Sequence, residues 1–359
     1  MSFTVTDEQH ALRKVVADLT AKRSGHAAAV WREMADMGLL GLLIPEELGG
    51  AGAGHVEMGI VMEEMGRALM GGPFLTTAVT AVHLLAEAGD GHESAGVLPR
   101  IAAGELIVGI AYAEDSSARL PERVDTAASA IDGDWRLTGQ KTFVIEAHNA
   151  DLLYVLADTD SGAAVFAVER NAPGVTLAVL TTIDQTRQQC RIEFADAPAR
   201  LVGGLGDGVE IFTAALQRSA VALLSEQAGG AHQAMQMAVK YARTRHQFGR
   251  AIGSFQAIKH LCADMLLEAE SALSAARFVA ASFDDAAPSR FADLALAQAY
   301  CSDAFVFVAA TNIQVHGGIG FTWEHPAHLY LRRARTDAQL LGEPAWHRER
   351  YLRLIGGQA

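Results

Sequence analysis

Gly203-Gly204-Leu205-Gly206-Asp207-Gly208 stands where the chain changes its hydrophobic period. Upstream, from about Gly109 to Arg200, short apolar runs at Trp135–Gly139, Leu152–Ala157, Ala163–Val168, Gly174–Leu180 and Cys190–Phe194 are separated by turn residues, which predicts a β domain. Downstream, Ile258, Leu261, Cys262, Met265, Leu266, Ala269, Ala272, Leu273, Ala276 and Val279 share one helical face. Helices of that length predict an antiparallel bundle. The glycine run lacks the Lys-Ser/Thr of a phosphate loop, shows no GxGxxG spacing and sits in no βαβ context. It reads as a plain strand-to-helix connection.

The first hundred residues are helical in pattern. Thr6-Asp7-Glu8-Gln9 fits a capping box, and Leu12, Val15, Val16 and Leu19 follow at 3/4 spacing, so a helix should start near Asp7. Proline and glycine interrupt the pattern at Ile44–Gly54 and again at Gly71-Gly72-Pro73. The expected fold class is α+β, mostly α, with a helical domain over 1–108, a β domain over 109–200 and a helical bundle over 201–359.

Composition narrows the function. The chain has 359 residues, 50% hydrophobic and 20% charged, which excludes a disordered or collagen-like polymer. Its net charge of -13 argues against a duplex nucleic-acid partner, which needs a basic face. Cys190, Cys262 and Cys301 form no CxxC pair, so no zinc ribbon or disulfide framework is expected and a reducing, cytoplasmic setting fits. The N-terminus has no signal-peptide layout, and no apolar run reaches the roughly 18 residues of a membrane span. His325 and His328 lack companion ligands, so hydrogen-bonding histidines are expected there and no metal site.

Four ordered strings then carry a resemblance over nearly the whole chain. They are Trp31-Arg32-Glu33-Met34-Ala35-Asp36-Met37-Gly38-Leu39-Leu40-Gly41 with Pro45-Glu46-Glu47-Leu48-Gly49-Gly50; Gly139-Gln140-Lys141-Thr142-Phe143-Val144 with Ala150-Asp151; Arg245-His246-Gln247-Phe248-Gly249 with Phe255-Gln256; and Gln314-Val315-His316-Gly317-Gly318-Ile319-Gly320-Phe321-Thr322. The chain resembles the acyl-CoA dehydrogenases. The resemblance implies that family's fold, with a barrel-like middle domain and a C-terminal four-helix bundle. It also implies FAD and the α,β-desaturation of an acyl-CoA thioester, in which a carboxylate takes the α proton while FAD accepts the β hydride.

In the family each flavin lies between two protomers. By resemblance Arg245 would pair with the pyrophosphate, Phe248, Phe255 and Gln256 would line the cofactor channel, Gln314 would bond the adenosine part and Gly317-Gly318 would let backbone approach it. The reacting side departs from the family. Ungapped alignment puts Leu341 at the usual base position, and the alternative base position on the first long bundle helix falls at Ala222. Neither can accept a proton. Glu226, one turn after Ala222, shares much of its face but is displaced about 6 Å along the axis. Glu343 sits two residues past Leu341 and precedes Pro344. The catalytic base is thus unassigned: Glu226 is the candidate that remains, although a polar or interface role in the bundle is expected for it, and Glu343 is expected to be solvated.

The loop expected at the flavin ring, Tyr112-Ala113-Glu114-Asp115-Ser116-Ser117-Ala118, lacks the usual hydroxyl donor, and Ile145 replaces another. The resemblance is therefore closest to the smaller, catalytically degenerate chain of heteromeric α2β2 actinobacterial members, which implies a larger catalytic partner subunit forming a heterotetramer and bulky acyl-CoA substrates such as steroid side-chain thioesters. Two alternatives stand beside it. One is a self-sufficient homotetramer, or a related flavin oxidase, using Glu226 or Glu343; the other is a flavin-free structural or regulatory subunit.

Overall fold

The computed structural model describes residues 6–22, 27–114 and 117–356, so Asp115 and Ser116 of the expected ring-side loop lie outside the described residues. Two compact units make up the chain: Met1–Gly25, His55–Met70 and Ala220–Ala359 form one, and His26–Gly54 and Gly71–Ser219 form the other. In chain order, α1 (Asp7–Lys22) and α2 (Ala27–Asp36) precede α3 (His55–Arg67); a π-helical stretch, Leu75–Ala81, then runs into α4 (Val82–Ala88), which α5 (Gly91–Ala102) follows. The predicted capping box on α1 is formed: the Gln9 N–H donates to Thr6 Oγ1 and the Thr6 N–H to Gln9 Oε1, both at 3.2 Å.

The second unit is built on a seven-stranded sheet of β1 (Val108–Ala111), β2 (Ala127–Ile131), β3 (Asp134–Ile145), β4 (Leu152–Ala157), β5 (Ala164–Glu169), β6 (Val175–Val179) and β7 (Gln189–Val202). The order is β1-β4-β5-β7-β3-β2, with β6 on β7; β1 and β4 run parallel and the other pairs antiparallel. β4 is buried on both faces. Leu152, Tyr154 and Leu156 pack with Leu84, Val97 and Ile101, while Leu153 and Val155 face Phe166 and Ile192, so β4 is an unbroken apolar run. The two strands beyond the predicted runs are β1, only four residues long, and β2, an alanine-rich and mostly exposed edge strand with little apolar patterning.

Gly203–Asp207 connects β7 to α6 (Gly208–Thr244), the strand-to-helix link expected from the sequence. Next come β8 (His246–Gln247), β9 (Arg250–Ala251), α7 (Gln256–Asp284), α8 (Arg290–His316), α9 (Ala327–Asp337) and α10 (Pro344–Ile355). On α7, Met265, Ala269, Ala272, Leu273, Ala276 and Val279 are buried as predicted. Leu266 is not: it lies about 100° round the helix from Met265 and is 47% exposed. α8 is apolar and long enough to cross a membrane by length and composition, but 67% of its apolar window is buried inside the protein, as befits a core helix.

In the first unit α3 and the C-terminal part of α6 meet backbone to backbone. A Cβ at Gly66 would lie 2.0 Å from the Glu226 carbonyl oxygen, and one at Gly229 would lie 2.0 Å from the Glu63 carbonyl oxygen. Gly66→Ala and Gly229→Ala should each cost about 1–3 kcal/mol by forcing the helices apart, read as a lowered melting temperature. Gly96→Ala is the control: nothing lies within 4 Å of its Cβ, so relief of helical glycine entropy should leave stability equal or higher.

Candidate functional site

The residues at the expected base positions are apolar and packed. Ala222 is buried in α6. Leu341 sits at φ 62, a left-handed conformation costly for a residue with a Cβ, and packs against the cluster holding Val221, Leu224 and Leu294. Glu343 is the N-cap residue of α10, ahead of Pro344, and its carbonyl accepts the His347 N–H at 3.1 Å.

Glu226 is 2% exposed, and its Oε1 accepts from Arg333 Nη1 of α9 at 2.5 Å. The same Arg333 nitrogen donates to the Met70 carbonyl at 3.2 Å, and Arg333 is 1% exposed. A carboxylate held this way is a counter-ion. No spacing signals this pairing, because Arg332 and Arg333 are adjacent and only packing decides which one turns inward. Glu226→Ala should cost about 3–5 kcal/mol by breaking this buried ion pair, read as a lowered midpoint in denaturant melts.

In the second unit, the strand that carries Phe143 and Ile145 is anchored by a buried ion pair. Lys141 Nζ lies 2.6 Å from Glu114 Oε1, and Lys141 is wholly buried. Glu114 also accepts from Thr126 Oγ1 at 2.7 Å, the Asp125 N–H at 2.8 Å and the Thr126 N–H at 3.0 Å. Burial pulls the Lys141 ammonium down to about 8 against the opposing pull of Glu114. Burial also pushes the Glu114 carboxyl up, but Lys141 and the amide donors outweigh it and leave it below the usual range. Phe143, at φ 55, lies between the Lys141 and Val144 pairings, where the β3–β7 register shifts, and Ile145 ends the strand half-buried. The ion pair thus fixes this strand, while Ala113 and Ile145 supply no side-chain donors. Lys141→Met should lower unfolding free energy by about 3–5 kcal/mol at neutral pH, with the deficit narrowing as the solution nears pH ~4 and Glu114 is protonated.

The residues expected at the cofactor's ADP half cluster at one end of the first unit. Arg245 follows α6 by one residue and is exposed. Phe248 (φ 54) and Gly249 (φ 79) form the two-residue turn between β8 and β9, a left-handed pair that fits a tight hairpin. Phe248 is 90% exposed and meets Phe255 edge-on at 6.1 Å, while the Arg250 guanidinium lies 4.0 Å over the Phe255 ring. Gln256 opens α7 and lies 2.9 Å from His260. Tyr241 of α6 stacks on His316 of α8 at 4.3 Å, which brings exposed Gln314, Gly317 and Gly318 beside this end. Gly317 needs to be glycine for its φ of 64, but Gly318 has no such need, and a Cβ at either would meet nothing within 4 Å. This chain leaves that space open, as a cradle for a closely approaching ligand requires.

Three family models match in order: acyl-CoA dehydrogenase N-terminal domain over residues 6–105, middle domain over 109–197 and C-terminal domain over 206–355. The chain is 34% identical over 358 residues to acyl-CoA dehydrogenase IpdE2 of Mycobacterium tuberculosis, covering 95% of both. It superposes on a chain of the ChsE4-ChsE5 complex of Mycobacterium tuberculosis with TM-score 0.89 at 29% identity, covering 100% of each. It also superposes on a chain of the steroid ACAD Tcur3481-Tcur3483 with TM-score 0.86 at 27% identity, covering 98% of this chain and 99% of that one. The chain belongs to the acyl-CoA dehydrogenase family, and its cofactor is FAD.

Proposed function

We propose that this chain is the non-catalytic subunit of a heteromeric acyl-CoA dehydrogenase and completes the FAD site of a larger catalytic partner. The observation that carries this reading is the fate of the base: Leu341 and Ala222 have no proton acceptor, and the nearby Glu226 is committed to Arg333. When bound, FAD supplies the hydride acceptor for desaturation. This chain's part is to hold it. Arg245 supplies a guanidinium for the pyrophosphate, Gln314 a hydrogen-bonding amide, Phe248 and Phe255 an aromatic wall beside Gln256, and Gly317-Gly318 room for close approach. The open Gly318 position and the exposed polar and aromatic groups around it fit that role.

The partner supplies the carboxylate that removes the α proton of the acyl-CoA. A bulky acyl group of the steroid side-chain class is the substrate this reading favours, in keeping with the steroid enzyme among its structural neighbours. The chain acts inside the cell, where acyl-CoA thioesters are found.

The purified chain alone should carry little flavin and desaturate no acyl-CoA, since loss of the general base by itself removes ~10²–10⁴-fold of rate. Co-expression with a larger catalytic acyl-CoA dehydrogenase subunit should yield a flavin-loaded complex that turns over. Stoichiometric FAD with robust turnover from this chain alone would sink the proposal. Within the complex, Arg245→Ala or Gln314→Ala should weaken flavin binding by about one to two decades while far-ultraviolet circular dichroism is unchanged. Full retention of flavin by both variants would remove those residues from the site.

A further inference from the structure

Three rings, those of Tyr241, His316 and His325, stack in series where α8 ends, and specific bonds set the proton positions on the two imidazoles. His316, the last residue of α8, has Nδ1 2.8 Å from the Asn312 carbonyl; only a donor fits there, so Nδ1 carries the hydrogen. His325 Nδ1 accepts the Ala327 N–H at 3.2 Å, so that nitrogen is bare. The two imidazoles lie 4.2 Å apart, His316 stacks on Tyr241 at 4.3 Å, and His328 meets Trp323 edge-on at 4.7 Å.

The His325 bond has a structural task. Ala327 is the first residue of α9, so its N–H is one of the donors that a helix start leaves unmatched. Pro326, in the N-cap position, makes no side-chain cap bond. His325 provides the acceptor from one residue further back.

We propose that His325, backed by His316 and His328, is an acid-sensitive latch that fastens the Gly317–Pro326 segment to α9 while the rings are neutral and releases it when they are protonated. A protonated Nδ1 cannot accept, so the cap is lost. The new charge also sits at the positive end of the α9 dipole and faces a second imidazole 4.2 Å away. The groups that act on the cluster are Tyr241 from α6, His316 from α8, and His328 and Arg332 from α9; Arg332 lies 5.1 Å over Trp323, and Glu324 is exposed. Burial first, then His316 and His328, hold His325 below the ordinary histidine value; burial does the same for His316, and burial with Arg332 for His328. The folded state therefore binds fewer protons than the unfolded one as the pH falls through about 6.5. The stabilisation is complete above that value and is lost below it. The segment so held carries Phe321, 73% exposed, and Trp323, 68% exposed.

Hydrogen exchange by mass spectrometry on the flavin-free full-length chain tests the latch without relying on the cofactor reading. Corrected for intrinsic rate, exchange in peptides spanning 317–330 should rise several-fold between pH ~7.5 and ~5.5, while the α6–α7 core stays protected. His325→Asn, which keeps a side-chain acceptor that does not titrate, should abolish that step and retain protection at low pH. A step of unchanged size in His325→Asn, or no step in the unmodified chain, overturns the proposal. Should the variant fail to fold, ring nitrogen NMR on the unmodified chain decides: His325 Nδ1 must gain its proton over the same pH range as the segment opens, and protonation without opening, or opening without protonation, overturns it.

Discussion

Backbone contact between α3 and α6 is the constraint on which the first unit depends. Gly66 and Gly229 let the helices touch, and the residues whose carbonyls they approach, Glu226 and Glu63, are both buried carboxylates. A buried charge is expensive unless paired, so the crossing recruits cations from the surrounding helices. Glu63 takes Arg13 of α1 at 2.7 Å, Arg277 of α7 at 3.0 Å and Arg67 of its own helix at 3.1 Å, while Glu226 takes Arg333 of α9. Burial pushes the Glu63 carboxyl up, yet the guanidiniums outweigh it and leave it lowered. The crossing thus ties α1, α7 and α9 to one pair of helices.

That arrangement bears directly on chemistry. Glu226, one turn from a family base position, is held in a buried ion pair with Arg333, so the fold depends on its charge. The second unit shows the same separation of scaffold from reactivity. Lys141, Glu114 and Thr126 hold the strand and loop in place, while the positions that would offer hydrogen bonds to a flavin ring are Ala113 and Ile145. The exposed Arg245, Gln314 and Phe248 stand apart from this scaffold: no demand of the fold explains a phenylalanine 90% exposed at a hairpin tip.

Much of this was legible in the residues alone, wherever the determining interaction is local. The Thr6–Gln9 capping box, the glycine link from β7 to α6 and the buried face of α7 are set by neighbours within one or two turns, so spacing revealed them. The family motifs, and with them the family, could be read from ordered strings for the same reason. Tertiary structure alone decided the rest. Strand β2 owes its place to pairing with β3 and has almost no apolar pattern of its own. Glu226 and Arg333 are separated by 107 residues, and Lys141 and Glu114 by 27. No periodicity marks which arginine turns inward, because that is settled by where two helices cross and which buried carboxylate then lacks a counter-charge.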